Sequence, residues 1–166
     1  NVESVFDYLA NVVNPTAIKK NVNLNFFLED KNIEIESNRE YVNKILLNII
    51  SNSIKFSTEN TKVTISAKDI NNESVEFKIQ DEGIGISKSN ISYIFDKFWQ
   101  GDDSITRTHG GLGIGLTLAK KLTIILGGYI TVDSKPNKGS SFRIVLPKEF
   151  KQYAPMRFDE QMEFEN

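Results

Sequence analysis

Two short turns constrain this chain more than any other feature. "KVTISAKDI" (62–70) and "SVEFKIQDE" (74–82) both alternate apolar and polar residues, and a turn centred on Asn71-Asn72 separates them. Asparagine tolerates left-handed backbone, so this spacing predicts a β-hairpin. "YITVDS" (129–134) and "SFRIVLP" (141–147) form a second such pair around "KPNKG". Two hairpins require antiparallel pairing, and alternation leaves one apolar sheet face for other elements to cover. The remaining segments supply the cover. Residues 3–20 read as a helix with Val5, Leu9, Val12 and Val13 on one face and Pro15 interrupting it. "VNLNFFLE" (22–29) reads as a strand and "IEIE" (33–36) as a short one. "SNRE" is a capping box, Ser37 to Glu40, opening a helix that runs to about Phe56. A short helical pattern covers 88–99, a polar loop 100–112, and a last helix runs to Leu126 and is ended by Gly127-Gly128. The expected fold is an α/β sandwich: a mixed, mainly antiparallel sheet with helices on one face.

Composition narrows the function classes. The 166 residues suit one domain with a sizeable core, here 1–150, followed by a tail or linker over 151–166. The end "FDEQMEFEN" is acidic and reads as a solvated tail. A net charge of −2 offers no basic stripe for nucleic acid, and the lack of cysteine excludes disulfides and thiolate metal sites. No apolar run reaches membrane-spanning length, and no signal-peptide pattern opens the chain. It begins with Asn1 and not methionine, so it is expected to be a piece of a longer protein.

"THGGLGIGLTLAKKL" (108–122) places four glycines in six positions directly before a helix pattern. Glycine suits sharp turns and close approach to a ligand, and a helix N-terminus presents unpaired N–H groups that suit phosphate. The P-loop spacing is absent, as are the kinase triplets H-R-D and D-F-G. The dinucleotide fingerprint fails too, because Leu116 and Leu118 stand three residues past Gly113 and Gly115. On the helix before Phe56, Val42, Ile45, Leu46, Ile49, Ser53 and Phe56 share a core arc, while Asn48, Asn52 and Lys55 form a polar stripe beside it. Amide oxygens suit a Mg²⁺ that already carries phosphate, and a lysine adds a point charge. In "DEGIGI" (81–86), Asp81 can accept a hydrogen bond from an exocyclic amine, and Gly83 and Gly85 allow backbone to close on a flat ring. Phe95, Phe98 and Trp99 cluster in "IFDKFWQ", a spacing more typical of core packing.

The order "NIISNSIKF", "DEGIGI", "IFDKF", "GLGIGL", then "GGYITVDS" and "GSSF" closely resembles the catalytic ATP-binding domain of sensor histidine kinases. That domain belongs to the Bergerat-fold ATPase superfamily, which includes the gyrase ATPase subunit, heat-shock chaperones and mismatch-repair proteins. The resemblance runs from about residue 1 to Pro147. It implies ATP and Mg²⁺ as cofactors, held under a mobile lid over about 100–112. By the resemblance Asn52 holds the metal, Asn48 lies one turn earlier, Lys55 faces the phosphates and Phe56 packs near the adenine. Asp81 binds the adenine amino group, with Gly83, Gly85 and Ile86 lining the base pocket and the Ser140 hydroxyl supporting the contact. Phe95 and Phe98 anchor the lid, and Gly111, Leu112, Gly113, Ile114, Gly115 and Leu116 carry the backbone at the triphosphate. The implied reaction is transfer of the γ-phosphoryl group to a histidine on a separate helical dimerisation domain, with a response regulator downstream. The resemblance also implies a cytoplasmic location, in a sensor that can be membrane-anchored, with the lone chain monomeric and its parent a homodimer.

Three positions depart from the family pattern. Gln100 stands where many members have a cation, with Lys97 or Arg107 as substitutes; Leu112 stands where threonine is frequent. Asn48 stands where ATP-hydrolysing relatives often carry a glutamate that activates water. Gln100 and Leu112 also suit a degenerate module that uses nucleotide only as a signal, and the same fold serves serine kinases of the anti-sigma type. His109, the only histidine, lies within the lid stretch, where it is poorly placed for in-line attack.

Overall fold

The computed structural model describes residues 1–96 and 114–149. Five strands form one sheet in the order β1-β2-β3-β5-β4: β1 Asn23–Leu28, β2 Lys62–Ile70, β3 Ser74–Asp81, β4 Tyr129–Ser134 and β5 Ser140–Pro147. β1 runs parallel to β2, and every other pairing is antiparallel. The helices are α1 Val2–Lys19, α2 Arg39–Phe56, the single turn α3 Lys88–Ile91, and α4 Gly115–Ile125. The expected mixed, mainly antiparallel sandwich is therefore the observed one.

The turn chemistry explains the hairpins. Asn71 and Asn72 both have positive φ, and Glu73 N–H donates to the Ile70 carbonyl at 3.0 Å, which gives the turn whose twist matches a hairpin. The buried residues Val63, Ile65 and Ala67 of β2, Val75, Phe77 and Ile79 of β3, and Phe142, Ile144 and Leu146 of β5 alternate along their strands. They form one apolar face on which α1, α2 and α4 lie. The opposite face is polar. There Glu76 is bridged to Lys68 at 3.4 Å and to Arg143, which also reaches the Tyr129 hydroxyl.

Four local expectations need correction. α1 continues through Pro15, because Val2, Val5, Phe6, Leu9, Val13 and Ala17 are buried on both sides of it. Packing along that face outweighs the one lost helix hydrogen bond. The α2 cap is Asn38, whose side chain accepts from Tyr41 N–H at 3.0 Å, and not Ser37. Glu40 instead pairs with Lys44 at 2.6 Å, an exposed contact worth little to stability. "IEIE" forms no strand. Its Ile33 carbonyl accepts from Val2 N–H, and Glu36 makes an isolated bridge to Glu149, just past β5. The pattern at 88–99 gives one helical turn and then tight bonds, Tyr93 N–H to Asn90 and Asp96 N–H to Tyr93; residues 97–99 lie outside the described part.

Candidate functional site

Asp81 ends β3 at 5% exposure, on the covered side of the sheet. Its Oδ1 accepts from Gly83 N–H at 2.9 Å and from Ser140 N–H at 3.1 Å. The buried Ser53 hydroxyl of α2 stands beside the same carboxylate, without a well-formed hydrogen bond of its own. Burial pushes the Asp81 carboxyl above its ordinary pKa, and the two backbone donors and Ser53 oppose the rise. Both backbone donors serve Oδ1, and neither occupies Oδ2. A cavity of about 200 Å³ is lined by Asp81 itself with Gln80, Asp133, Ser134, Ser140 and Ser141. It does not include Asn52, Lys55 or Phe56, so it lies apart from the α2 side of the carboxylate.

Close backbone approaches hold the loop after Asp81. A Cβ on Gly83 would stand 2.3 Å from the Phe56 carbonyl oxygen, and Ile84 N–H donates to that same oxygen at 3.2 Å. Gly85 has φ +68°, and a Cβ there would stand 2.0 Å from the Lys135 carbonyl oxygen. Asn137 N–H donates to the Ile84 carbonyl at 2.7 Å, and Ile86 N–H to Ser134 Oγ at 2.8 Å. The 82–86 loop is thus clamped between the end of α2 and the β4–β5 turn.

On α2 the polar stripe is half-buried, as its periodicity predicts. Asn48 Nδ2 donates to the Lys44 carbonyl at 2.7 Å, and its Oδ1 would stand 2.8 Å from a Cβ on Gly115. Gly115 opens α4, whose first turn has neither a side-chain cap nor an acidic residue. The uncapped N–H groups of α4 therefore begin directly beside the α2 amides, a polarity that suits an anion. Lys55 lies over the Phe56 ring at 5.0 Å, and its burial lowers its pKa. Lys20, at the end of α1, donates to the Lys55 carbonyl; burial and then the Lys55 charge lower its pKa.

Phe95 is tied to α4 by two contacts. Its carbonyl accepts from Thr117 Oγ1 at 2.9 Å, and Lys120 Nζ stands 5.4 Å from its ring centre.

The structure brings Asp81, Gly83, Gly85, Ile86, Phe56 and Ser140 to one end of α2. Asn48, Asn52, Lys55, Gly115 and the neighbouring Ile114 and Leu116 lie along its exposed side and the start of α4. One detail differs from expectation: Ser140 reaches Asp81 through its backbone N–H, while its hydroxyl lies 2.9 Å from Ser134 Oγ. Gln100, Phe98, Gly111, Leu112 and Gly113, with the lid stretch, lie outside the described residues. Sequence reasoning missed Ser134. A signal existed: it falls in register with the inward Ile130 and Val132 of β4, a hydroxyl on an otherwise apolar face.

The family model described as histidine kinase-, DNA gyrase B- and HSP90-like ATPase matches residues 37–150. The chain belongs to that ATPase family. It is 37% identical over 119 residues to the signal transduction histidine-protein kinase ArlS of Staphylococcus haemolyticus (strain JCSC1435), covering 72% of this chain and 26% of that protein. It is 38% identical over 127 residues to the sensor histidine kinase WalK of Bacillus subtilis (strain 168), covering 75% of this chain and 21% of that one. The chain thus spans about a quarter of the length of these relatives. Among solved structures, full-length ShkA in complex with AMPPNP superposes with a TM-score of 0.80 at 25% identity, covering 92% of this chain and 31% of that one. The nucleotide-free catalytic domain of histidine kinase ThkA gives 0.77 at 23% identity, covering 89% and 95%, and so shares the fold.

Proposed function

We propose that this ATPase-family domain binds Mg·ATP and delivers the γ-phosphoryl group to a histidine on a separate helical dimerisation domain. The observation that carries the reading is Asp81. A buried carboxylate, oriented through Oδ1 by two backbone donors, is preorganised to take the adenine amino group on Oδ2. Phe56, Gly83, Gly85 and Ile86 border it. The likeness to named sensor histidine kinases favours phosphoryl transfer over a purely regulatory module or a serine kinase.

The phosphate side fits the implied groups. The α4 N-terminus donates N–H groups beside Asn48, and Asn52, one turn further along α2, offers an amide oxygen to a divalent ion. Mg²⁺, when bound, neutralises phosphate charge. Lys55 adds a cation at the same end of α2, and its lowered pKa reflects a partly desolvated ammonium, which attracts phosphate more strongly than one in bulk water. The chain's own work is positioning and charge complementarity, which phosphoryl transfer chiefly requires. An imidazole is itself a nucleophile, so no strong base is needed from this domain. That suits Asn48 at a position where a glutamate would activate water.

The partner of ThkA in one solved complex is its response regulator, TrrA. A response regulator is the proposed acceptor downstream here too. Among the described residues no helix is long and apolar enough to cross a membrane, and a cytoplasmic location is the proposed one. The domain proposal stays at 1–150, with 151–166 as tail or linker.

The test is incubation with γ-labelled ATP, alone and with the parent protein's helical domain, followed by acid treatment. The expected result is no label on the lone chain and acid-labile label on the partner. Acid-stable label on a partner serine would favour the anti-sigma alternative, and acid-labile label on His109 of the lone chain would overturn the assignment.

A further inference from the structure

We infer that Ser134 is a positioning residue of the base site, whose hydroxyl fixes the Ile86 end of the 82–86 loop against the β4–β5 turn beside Asp81. The inference rests on the adenine-nucleotide reading of that site. Ser134 ends β4 at 8% exposure. Its Oγ accepts from Ile86 N–H at 2.8 Å, donates to the Gly139 carbonyl at 2.9 Å, and stands 2.9 Å from Ser140 Oγ. A hydroxyl has one proton to donate and two lone pairs to accept. With the proton on Gly139 and one lone pair on Ile86, the second lone pair takes the Ser140 hydroxyl. The group is saturated.

The three partners surround the proposed base contact. Ile86 closes the loop that begins at Asp81, and Ser140 supplies the N–H that orients Asp81 Oδ1. Gly139, with φ +81°, brings the β4–β5 turn so near that a Cβ there would stand 1.9 Å from the Asp81 carbonyl oxygen. Ser134, like the Asp81 carboxylate, is therefore a side chain that links both walls of the site. The turn does not depend on it for closure, because Lys138 N–H donates to the Lys135 carbonyl at 3.0 Å within the same turn. Removing the hydroxyl leaves the Ile86 N–H and the Gly139 carbonyl without their partner and frees the Ile86 end of the loop, while Gly83 N–H on Asp81 and Asn137 N–H on Ile84 still hold its earlier part. A looser pocket accepts a base that Asp81 would otherwise reject.

The experiment titrates ATP and GTP, each with magnesium, into the 166-residue chain and into Ser134→Ala, Ser134→Thr and Ser134→Val, with thermal melts to check folding. Threonine and valine have the same shape and differ by the hydroxyl. The Ala and Val variants are expected to lose ATP affinity by about three- to thirtyfold, and their preference for ATP over GTP by about threefold or more. The Thr variant is expected to keep that preference within about twofold, inside the spread of a conserved hydrogen bond. Equal losses for ATP and GTP, or the same preference in Thr and Val, would overturn the role. If the unaltered chain prefers ATP and Ser134→Ala does so equally, the Ser134 role alone falls. If the unaltered chain binds neither nucleotide, the adenine reading fails and this inference with it.

Discussion

The C-terminal end of α2 and its exposed side are built in opposite ways. At its C-terminal end, around Asp81, the protein satisfies its own groups: Gly83 and Ser140 donate to Asp81, Ile84 donates to Phe56, and Ile86 donates to Ser134. Glycines fit where a Cβ would enter backbone. Along its exposed side the stripe of Asn48, Asn52 and Lys55 is half-buried and faces the start of α4. Asn52 is half-buried on this side, and α4 starts without a side-chain cap. The contrast has a physical reading. A flat base is recognised by rigid shape and one well-aimed acceptor, whereas a triphosphate with its cation brings charge and satisfies the donors itself. Preorganisation belongs at the first and unmet polarity at the second.

The largest expected effect tests the rigid end. Gly139→Ala combines a left-handed φ with a Cβ 1.9 Å from the Asp81 carbonyl oxygen, so backbone must move. A loss of about 3 kcal/mol or more is expected in urea unfolding. Gly127→Ala is the control. Its φ is +76°, but the nearest atom is Pro147 Cγ at 3.6 Å, so only the conformational term of about 1 kcal/mol applies. Similar losses at the two glycines would show that the close approach at the base site is not real.

Next comes Asp81→Asn, which keeps the Oδ1 acceptor and replaces Oδ2. ATP affinity is expected to fall about ten- to a hundredfold, with the ATP-over-GTP preference lost. Unchanged preference in calorimetry would mean that Asp81 does not read the base. The same variant reports on burial. Because burial raises the native Asp81 pKa above its ordinary value of 3.8, the native state holds this proton more tightly than the unfolded chain. The resulting stability is fully present below the ordinary carboxylate pKa and is lost as pH rises through the raised native value. Relative to Asp81→Asn, the unaltered chain should therefore gain stability between about pH 7 and about pH 4. A difference that stays flat across that range would show the carboxylate to be better solvated than its burial implies.

Asn52→Ala probes the receptive side. Binding of Mg·ATP is expected to weaken about tenfold, an interaction of about 1.4 kcal/mol, with metal-free ATP nearly unaffected. Equal losses with and without magnesium would assign Asn52 to the phosphates instead. The smallest effect is at Lys120→Ala, which removes the cation above Phe95. About 0.5–1 kcal/mol of stability is expected to be lost, measured by urea unfolding. A loss well above that would mean that the lysine stem packs as well.

Local patterns carried most of the fold. Alternation and the Asn71-Asn72 turn named the hairpins, and the 3.6-residue period of α2 separated its buried Val42, Ile45, Leu46 and Ile49 from the Asn48–Asn52–Lys55 stripe. These features are legible because each follows from neighbours a few residues apart. The misreadings share one cause. Pro15 was expected to interrupt α1 because local rules say so, yet a buried face against α2 and β1 holds the helix together. "IEIE" alternates like a strand, but among the described residues its bridge is the isolated Glu36–Glu149 one, just past β5. Ser37 and Asn38 both suit a helix cap, and only the entering chain's path selects Asn38.

The sequence by itself determined the family's ordered motifs, the hairpins, and which residue types could meet a phosphate or an adenine. Tertiary structure alone decided that β1 pairs parallel with β2, because that choice depends on how α2 crosses between them. It likewise decided that Ser140 serves Asp81 through its backbone and that Ser134 joins the two walls of the base site. Residues 81 and 86 lie far along the chain from 134 and 140, and a hydrogen bond is settled within a few tenths of an ångström. Residue type can propose such a contact, but only the packing of the sheet against α2 sets its distance.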